Sequence, residues 1–224
     1  FFSYITLGDY MNTKIIVDAG HGGNDPGAVN GNIKEKDLTL QAAKYIDRRL
    51  KELGLNSVLT RDNDEYLPRE DRIRRINSLT NNQPAILISN HINAGGGEGA
   101  EIVYSLRNDS TLAQEILNNI GDTGQIKRKI YQRRLPENPN KDYYYILRET
   151  NVSEPLLIEY GFIDNANDAN KLRNNLNDYA EAVVKAVAEY IGIPYTVEDN
   201  ENYYKVKSGD TLWSIARKLG VTVN

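Results

Sequence analysis

The chain has 224 residues, 40% of them hydrophobic and 26% charged, with a formal net charge of −4 and no cysteine. That length supports one substantial domain with a small appendage. The slight acidity argues against a general nucleic-acid binder, which carries a basic footprint; no run of about 18 apolar residues is present to span a membrane as a helix; and without thiols a transition-metal site must be built from His, Asp and Glu.

In chain order, residues 1–12 (FFSYITLGDYMN) are mildly apolar but lack the basic start and long apolar stretch of a signal peptide, and read as an extension outside the core. Residues 14–17 (KIIV) predict a buried strand, and residues 20–31, rich in Gly, Asn, Asp and Pro, predict a loop. From residue 35 to 53, Leu38, Ala42, Ile46, Leu50 and Leu53 recur at helical spacing, with Gly54 as the stop. Residues 57–60 (SVLT) predict a strand, and residues 69–79 an amphipathic helix with Ile73, Ile76 and Leu79 on one face. The basic runs REDRIRR (69–75) and KRKIYQRR (127–134) read as solvated surface.

Residues 85–89 (AILIS) predict a strand that ends in Asn90, His91, Ile92 and Asn93 before a glycine-rich loop. Strands are predicted at 101–104, 143–147 (YYYIL) and 155–158 (PLLI), helices at 111–120 and 167–191, and an irregular polar segment at 121–142. Strands alternating with helices predict an α/β layered fold: a mostly parallel twisted sheet of about six strands flanked by helices. Ligands bind beyond the C-terminal ends of such strands, where His21, His91 and Glu159 fall. The main domain is expected over residues 13–194, followed by a polar linker at 195–202. Residues 203–224 then hold a strand, a turn and a short amphipathic helix, too small for a core of their own.

A single strand-end histidine most often makes a structural hydrogen bond. Here the only two histidines both follow apolar strands and precede small residues, which points to a shared site. Glu35, at the start of a helix, either complements the helix dipole or offers a carboxylate back toward the sheet edge. Two imidazoles and one carboxylate, with a position left for water, form a zinc shell suited to catalysis. Glu159 closes an apolar strand, where a carboxylate is costly unless used or paired. It serves either as the general base for an attacking water or as the ion-pair partner of Arg148 or a nearby arginine. The loop GHGGNDPG lacks the Lys-Ser/Thr ending and the spacing of a phosphate cradle, so its glycines are read as allowing backbone to pass close to a metal and substrate.

These residues carry a resemblance. IIVDAGHGGNDPGAVNGNIKEKDLTL looks like the first zinc motif of the Amidase_3 type of N-acetylmuramoyl-L-alanine amidase. ILISNHINA is similar to that family's second motif and EPLLIEYGFIDNANDANKL to its third; TRDNDEYLPREDRIRRIN and YYILRET also match. The resemblance runs from about residue 14 to 193 in the family's motif order. It implies zinc held by His21, Glu35 and His91, with Glu159 as the catalytic carboxylate. It further implies hydrolysis of the bond between N-acetylmuramic acid and L-alanine in peptidoglycan, outside the cell or at the wall. Asn93, Arg148 and the glycines at 95–97 are expected along the substrate groove. Asn90 departs from the family, which usually has an apolar residue there; strand alternation points its side chain away from His91, where it needs a buried partner. The tail YKVKSGDTLWSIARKLGVTVN resembles the first half of a LysM module, a glycan-binding fold, and so points to the same polymer. Its Leu212, Trp213, Ile215 and Leu219 are expected to borrow packing from the main domain. Two rivals stand beside this reading. A zinc peptidase would cut the stem peptide instead; a non-catalytic wall-binding protein would lack one of the four site residues, and none is missing.

Overall fold

The computed structural model describes residues 13–81, 83–197, 206 and 209–222. The extension expected at residues 1–12, and much of the linker and the tail's first strand, lie outside the described residues.

The sheet begins with β1 (Lys14–Ala19), whose small and β-branched residues are buried on both faces, as a central parallel strand requires. Ile15, Val17 and Ala19 point into one core and Ile16 into the other. β4 (Asn56–Leu59) and β5 (Ala85–Asn93) flank β1 in parallel, and β10 (Glu154–Phe162) continues the sheet in parallel beside β5. β6 (Ala100–Tyr104) runs antiparallel to β10, and β7 (Lys127–Tyr131) closes the far edge parallel to β6. The order is β4-β1-β5-β10-β6-β7, a mostly parallel six-stranded sheet.

Helices α1 (Glu35–Glu52), α3 (Thr111–Asp122) and α5 (Ala166–Tyr190) supply the larger core. Helix α2 (Arg69–Thr80), through Ile76, and the one-turn helix α4 (Tyr145–Arg148), through Ile146 and Leu147, cover the opposite face. A two-residue hairpin, β2 (Val29–Asn30) with β3 (Ile33–Lys34), sits within the first loop, and a second, β8 (Arg134–Leu135) with β9 (Asn138–Asp142), follows β7.

Three expectations change. The segment read as irregular at 121–142 contains the edge strand β7 and the β8–β9 hairpin. The strand read at 143–147 is a turn of helix: both sides of β10 are already taken by β5 and β6, so this apolar segment covers a sheet face instead of joining the sheet. β5 and β10 each run nine residues, well past the apolar stretches that predicted them. Their backbones keep pairing through the polar residues, so His91 and Glu159 lie within strands, directly in register with one another.

Past the last core helix, Tyr195 Oη donates to Glu181 Oε1 at 2.7 Å and Arg49 Nη2 to the Thr196 carbonyl at 2.9 Å, fastening the chain to α1 and α5. The tail helix α6 (Leu212–Leu219) starts with a capping box between Thr211 and Ser214 and ends at Gly220 with φ +68°, a good local fit of sequence to helix ends. Leu212 and Trp213 are each 73% exposed. The packing expected for these two side chains is therefore absent; the amphipathic helix turns them outward, and among its described side chains only Ala216 is buried. No helix among the described residues is long and apolar enough to cross a membrane.

Candidate metal centre and substrate cavity

β1 ends at Ala19, and the chain turns so that His21 adopts φ +60°, a left-handed conformation in a residue with a side chain. Such a residue carries backbone strain of about 1–3 kcal/mol, which persists only where its surroundings enforce it. The turn directs His21 Nε2 to 3.1 Å from Glu35 Oε1. His91, from β5, places Nδ1 at 3.0 Å from the same oxygen, and the two rings meet edge to face with centroids 5.1 Å apart. Glu35 opens α1 and reaches back over the sheet edge. Its Oε1 also accepts from the Ile92 N–H at 2.9 Å and its Oε2 from the Ala28 N–H at 2.8 Å. One donor atom from each of His21, Glu35 and His91 lies within 4.8 Å of the others, a grouping able to hold a metal ion.

Two glycines make this approach possible. A Cβ on Gly20 would sit 2.4 Å from His91 Cε1, and one on Gly27, at φ +63°, would sit 2.5 Å from Glu35 Oε2 and 2.7 Å from His21 Cδ2. Asp25, which in the sequence is marked only as a loop former, accepts at Oδ2 from His21 Nδ1 at 2.9 Å, and its Oδ1 accepts from the Gly27 N–H. A carboxylate on the far nitrogen of a metal-binding imidazole fixes its tautomer and orientation.

The charges follow from this geometry. Burial opposes ionisation of Glu35, but hydrogen bonds and charge from His21 and His91 outweigh it and hold the carboxyl well below the usual range. Burial also opposes a charged His21, and Glu35 and Asp25 together overcome it, raising the imidazole. Glu159 behaves in the opposite way. Burial, reinforced by the negative charges of Glu35 and Glu101, pushes its carboxyl well above the ordinary value. Its Oε2 is buried without a hydrogen-bond partner. In strand register His91, Glu159, Glu101 and Lys129 form one row across four strands. Glu101, also missed from sequence, is 3% exposed and pairs with Arg128 at 2.6 Å.

His21, Glu35, His91 and Glu159 all line one cavity of about 520 Å³, together with Asn93 and an aromatic wall of Tyr66, Tyr144 and Tyr145. Asn93 Nδ2 leans toward Glu101 Oε2 at 3.4 Å. Arg148 is elsewhere: it donates to the carbonyls of Asp142 and Tyr143, pairs with Glu149, and lines a second cavity. Asn90 finds the partners its burial demands, accepting from Tyr160 Oη at 2.7 Å and donating to the Asp18 carbonyl at 2.8 Å.

Comparison with known proteins places this arrangement in context. The family profile described as N-acetylmuramoyl-L-alanine amidase matches residues 15–191, and the LysM domain profile matches residues 204–224. The chain is 32% identical over 184 residues to the uncharacterized protein YqiI of Bacillus subtilis, covering 79% of this chain and 84% of that one. It is 30% identical over 207 residues to the sporulation-specific N-acetylmuramoyl-L-alanine amidase of the same organism, covering 88% and 74%. Among solved structures, Cwp6 from Clostridium difficile superposes with a TM-score of 0.72 at 30% identity, over 79% of this chain and 29% of that much longer one.

Proposed function

The chain belongs to the N-acetylmuramoyl-L-alanine amidase family, and from that membership we propose that it hydrolyses the amide between N-acetylmuramic acid and L-alanine of peptidoglycan in a zinc-dependent reaction. The observation that carries this reading is the meeting, in one cavity, of three metal-competent donor atoms with a carboxylate whose Oε2 is buried and unpartnered. Two imidazole nitrogens and one carboxylate oxygen suit zinc, and a catalytic site of this kind keeps one position open.

In this reading His21, Glu35 and His91 hold the metal, with Asp25 orienting the His21 ring. Zinc bound there supplies Lewis-acid polarisation of the scissile carbonyl and acidifies a water molecule. Glu159 accepts the proton of the attacking water and hands it to the nitrogen of the departing L-alanine. Burial and the negative charges of Glu35 and Glu101 make its carboxyl hold a proton more readily than an exposed glutamate does. The aromatic wall of Tyr66, Tyr144 and Tyr145 offers flat apolar surface to substrate beside the site. The LysM match supports action at the glycan-bearing wall.

End-group analysis of digested peptidoglycan tests the proposal. An amidase releases new L-alanine amino termini and no new reducing ends. New amino termini further along the stem instead identify a peptidase, and no release at all identifies a wall-binding protein.

A further inference from the structure

Two arginines with almost no solvent contact stand against the turn at His21: Arg61 is 1% exposed, and Arg72, which lines the cavity, 3%. Their donors converge on the turn that carries His21. Arg61 Nε donates to the Ala19 carbonyl at 3.0 Å, Nη1 to the Asn63 carbonyl at 2.9 Å, and Nη2 to the carbonyls of Gly20 and Lys36, both at 2.9 Å. Arg72 Nη1 donates to the Ala19 carbonyl at 2.7 Å and Nη2 to the His21 carbonyl at 2.9 Å. Among the described residues the only carboxylate either one bonds is Asp18, which receives Arg72 Nη1 at 2.5 Å and is itself held by Thr60 and Ser89.

A buried guanidinium kept for stability alone is best served by a forked carboxylate. Arg49 shows that arrangement in this same chain: it is equally buried and forks onto both oxygens of Glu181. Arg61 has instead spread its donors over backbone carbonyls, one at Asn63 in its own loop and the others on two distant segments. One distant segment is the turn preceding His21; the other is the first turn of α1, next to Glu35. His21 is the residue in that turn with the left-handed backbone, and its carbonyl is one that Arg72 holds.

We propose that Arg61 and Arg72 are positioning residues for the metal site, clamping the strained Ala19–His21 turn against the start of α1 so that His21 and Glu35 are set at ligand spacing before a metal arrives. The inference rests on the reading of His21 and Glu35 as ligands. It requires the planar fork of arginine: Arg61 reaches four carbonyls from three separate nitrogens, whereas lysine keeps the charge but gathers its three donors on a single nitrogen.

The test uses the full chain with Arg61→Lys, Arg72→Lys and, as a control buried arginine remote from the turn, Arg49→Lys. Zinc affinity is measured by competition with a chromophoric chelator, and the stability of each metal-free variant by urea unfolding. Arg61→Lys and Arg72→Lys should weaken zinc binding roughly 10–100-fold, the usual cost of losing a group that supports a ligand. Arg49→Lys should lose stability and keep wild-type affinity. The imidazole proton resonances provide a second readout without metal: the two clamp variants should shift the His21 ring signals and the control should not. Equal zinc affinity in the clamp variants and wild type, or an equal fall in the Arg49→Lys control, overturns the proposal. A wild-type chain that binds no zinc contradicts the ligand reading itself, and the ring signals alone then decide whether the arginines hold the turn. If Arg72→Lys fails to fold for want of its Asp18 bond, Arg61→Lys, which bonds no carboxylate, decides the question.

Discussion

Glu159 is the residue on which the proposed chemistry turns, and its surroundings separate binding from turnover. It sits in register with His91 yet makes none of the contacts that join His21, Glu35 and His91. Replacing it with Gln keeps size and shape while removing the proton acceptor. Glu159→Gln should therefore retain the metal and lower kcat on a muropeptide by roughly 10²–10⁴, the range of a general acid–base group; kinetics at saturating substrate check this. The residues legible in the sequence were those where a chemical group interrupts or ends an apolar run: His21, His91 and Glu159, with Glu35 at a helix start. Asp25, Glu101, Arg61 and Arg72 were not legible. Arg72 lies in REDRIRR, which reads as solvated surface, and only the long-range partner Asp18 reveals that it is buried. Charge patterns along a chain show which residues are polar; they do not show which are enclosed by contacts fifty residues away. Arg148 shows the converse, a cation expected at the groove whose guanidinium is engaged by the carbonyls of Asp142 and Tyr143.

At the scale of elements, the sheet's central strands were read correctly in type and too short in extent. Apolar runs mark where a strand is buried on both faces, whereas pairing continues wherever a neighbour offers its backbone, and this carries β5 and β10 on to the site. The tyrosines at 143–145 have strand-forming character, but β10 has no free edge, so tertiary context overrides local propensity. The join between β1 and α2 has a pH signature. Burial works to raise the Asp18 carboxyl, and the Arg72 charge, helped by Thr60, Ser89 and the nearby His91, overcomes it and holds the pKa below its ordinary value. A carboxyl depressed in the fold contributes stability fully above its unfolded value of about 3.9, and that contribution is lost as pH falls through the lower folded value. Asp18→Asn should thus flatten the loss of stability below about pH 4. At neutral pH it should cost roughly 3–5 kcal/mol by leaving Arg72 buried without its anion. Urea unfolding across pH 2–7 in the wild type and the variant checks both signs.

At the scale of the whole molecule, the two profile matches divide the chain into a large hydrolase part and a short tail. The tail helix keeps its apolar Leu212 and Trp213 in solvent, and none of its described side chains joins either core, while the chain up to Thr196 is fastened to the main fold. We propose that the parts act separately: removing residues 198–224 should leave hydrolysis of a soluble muropeptide unchanged and reduce sedimentation with whole walls slightly. A large fall in muropeptide hydrolysis would show that the tail supports the main domain. The proposed reaction depends on three side chains, from the β1 turn, the start of α1 and β5, holding one ion at the edge of the sheet. Elemental analysis of purified, undialysed protein tests this most directly. The wild type and Glu159→Gln should each carry about one zinc per chain, and His21→Ala and His91→Ala should lose most of it. Metal content unchanged by both histidine substitutions would contradict the site and the chemistry built on it.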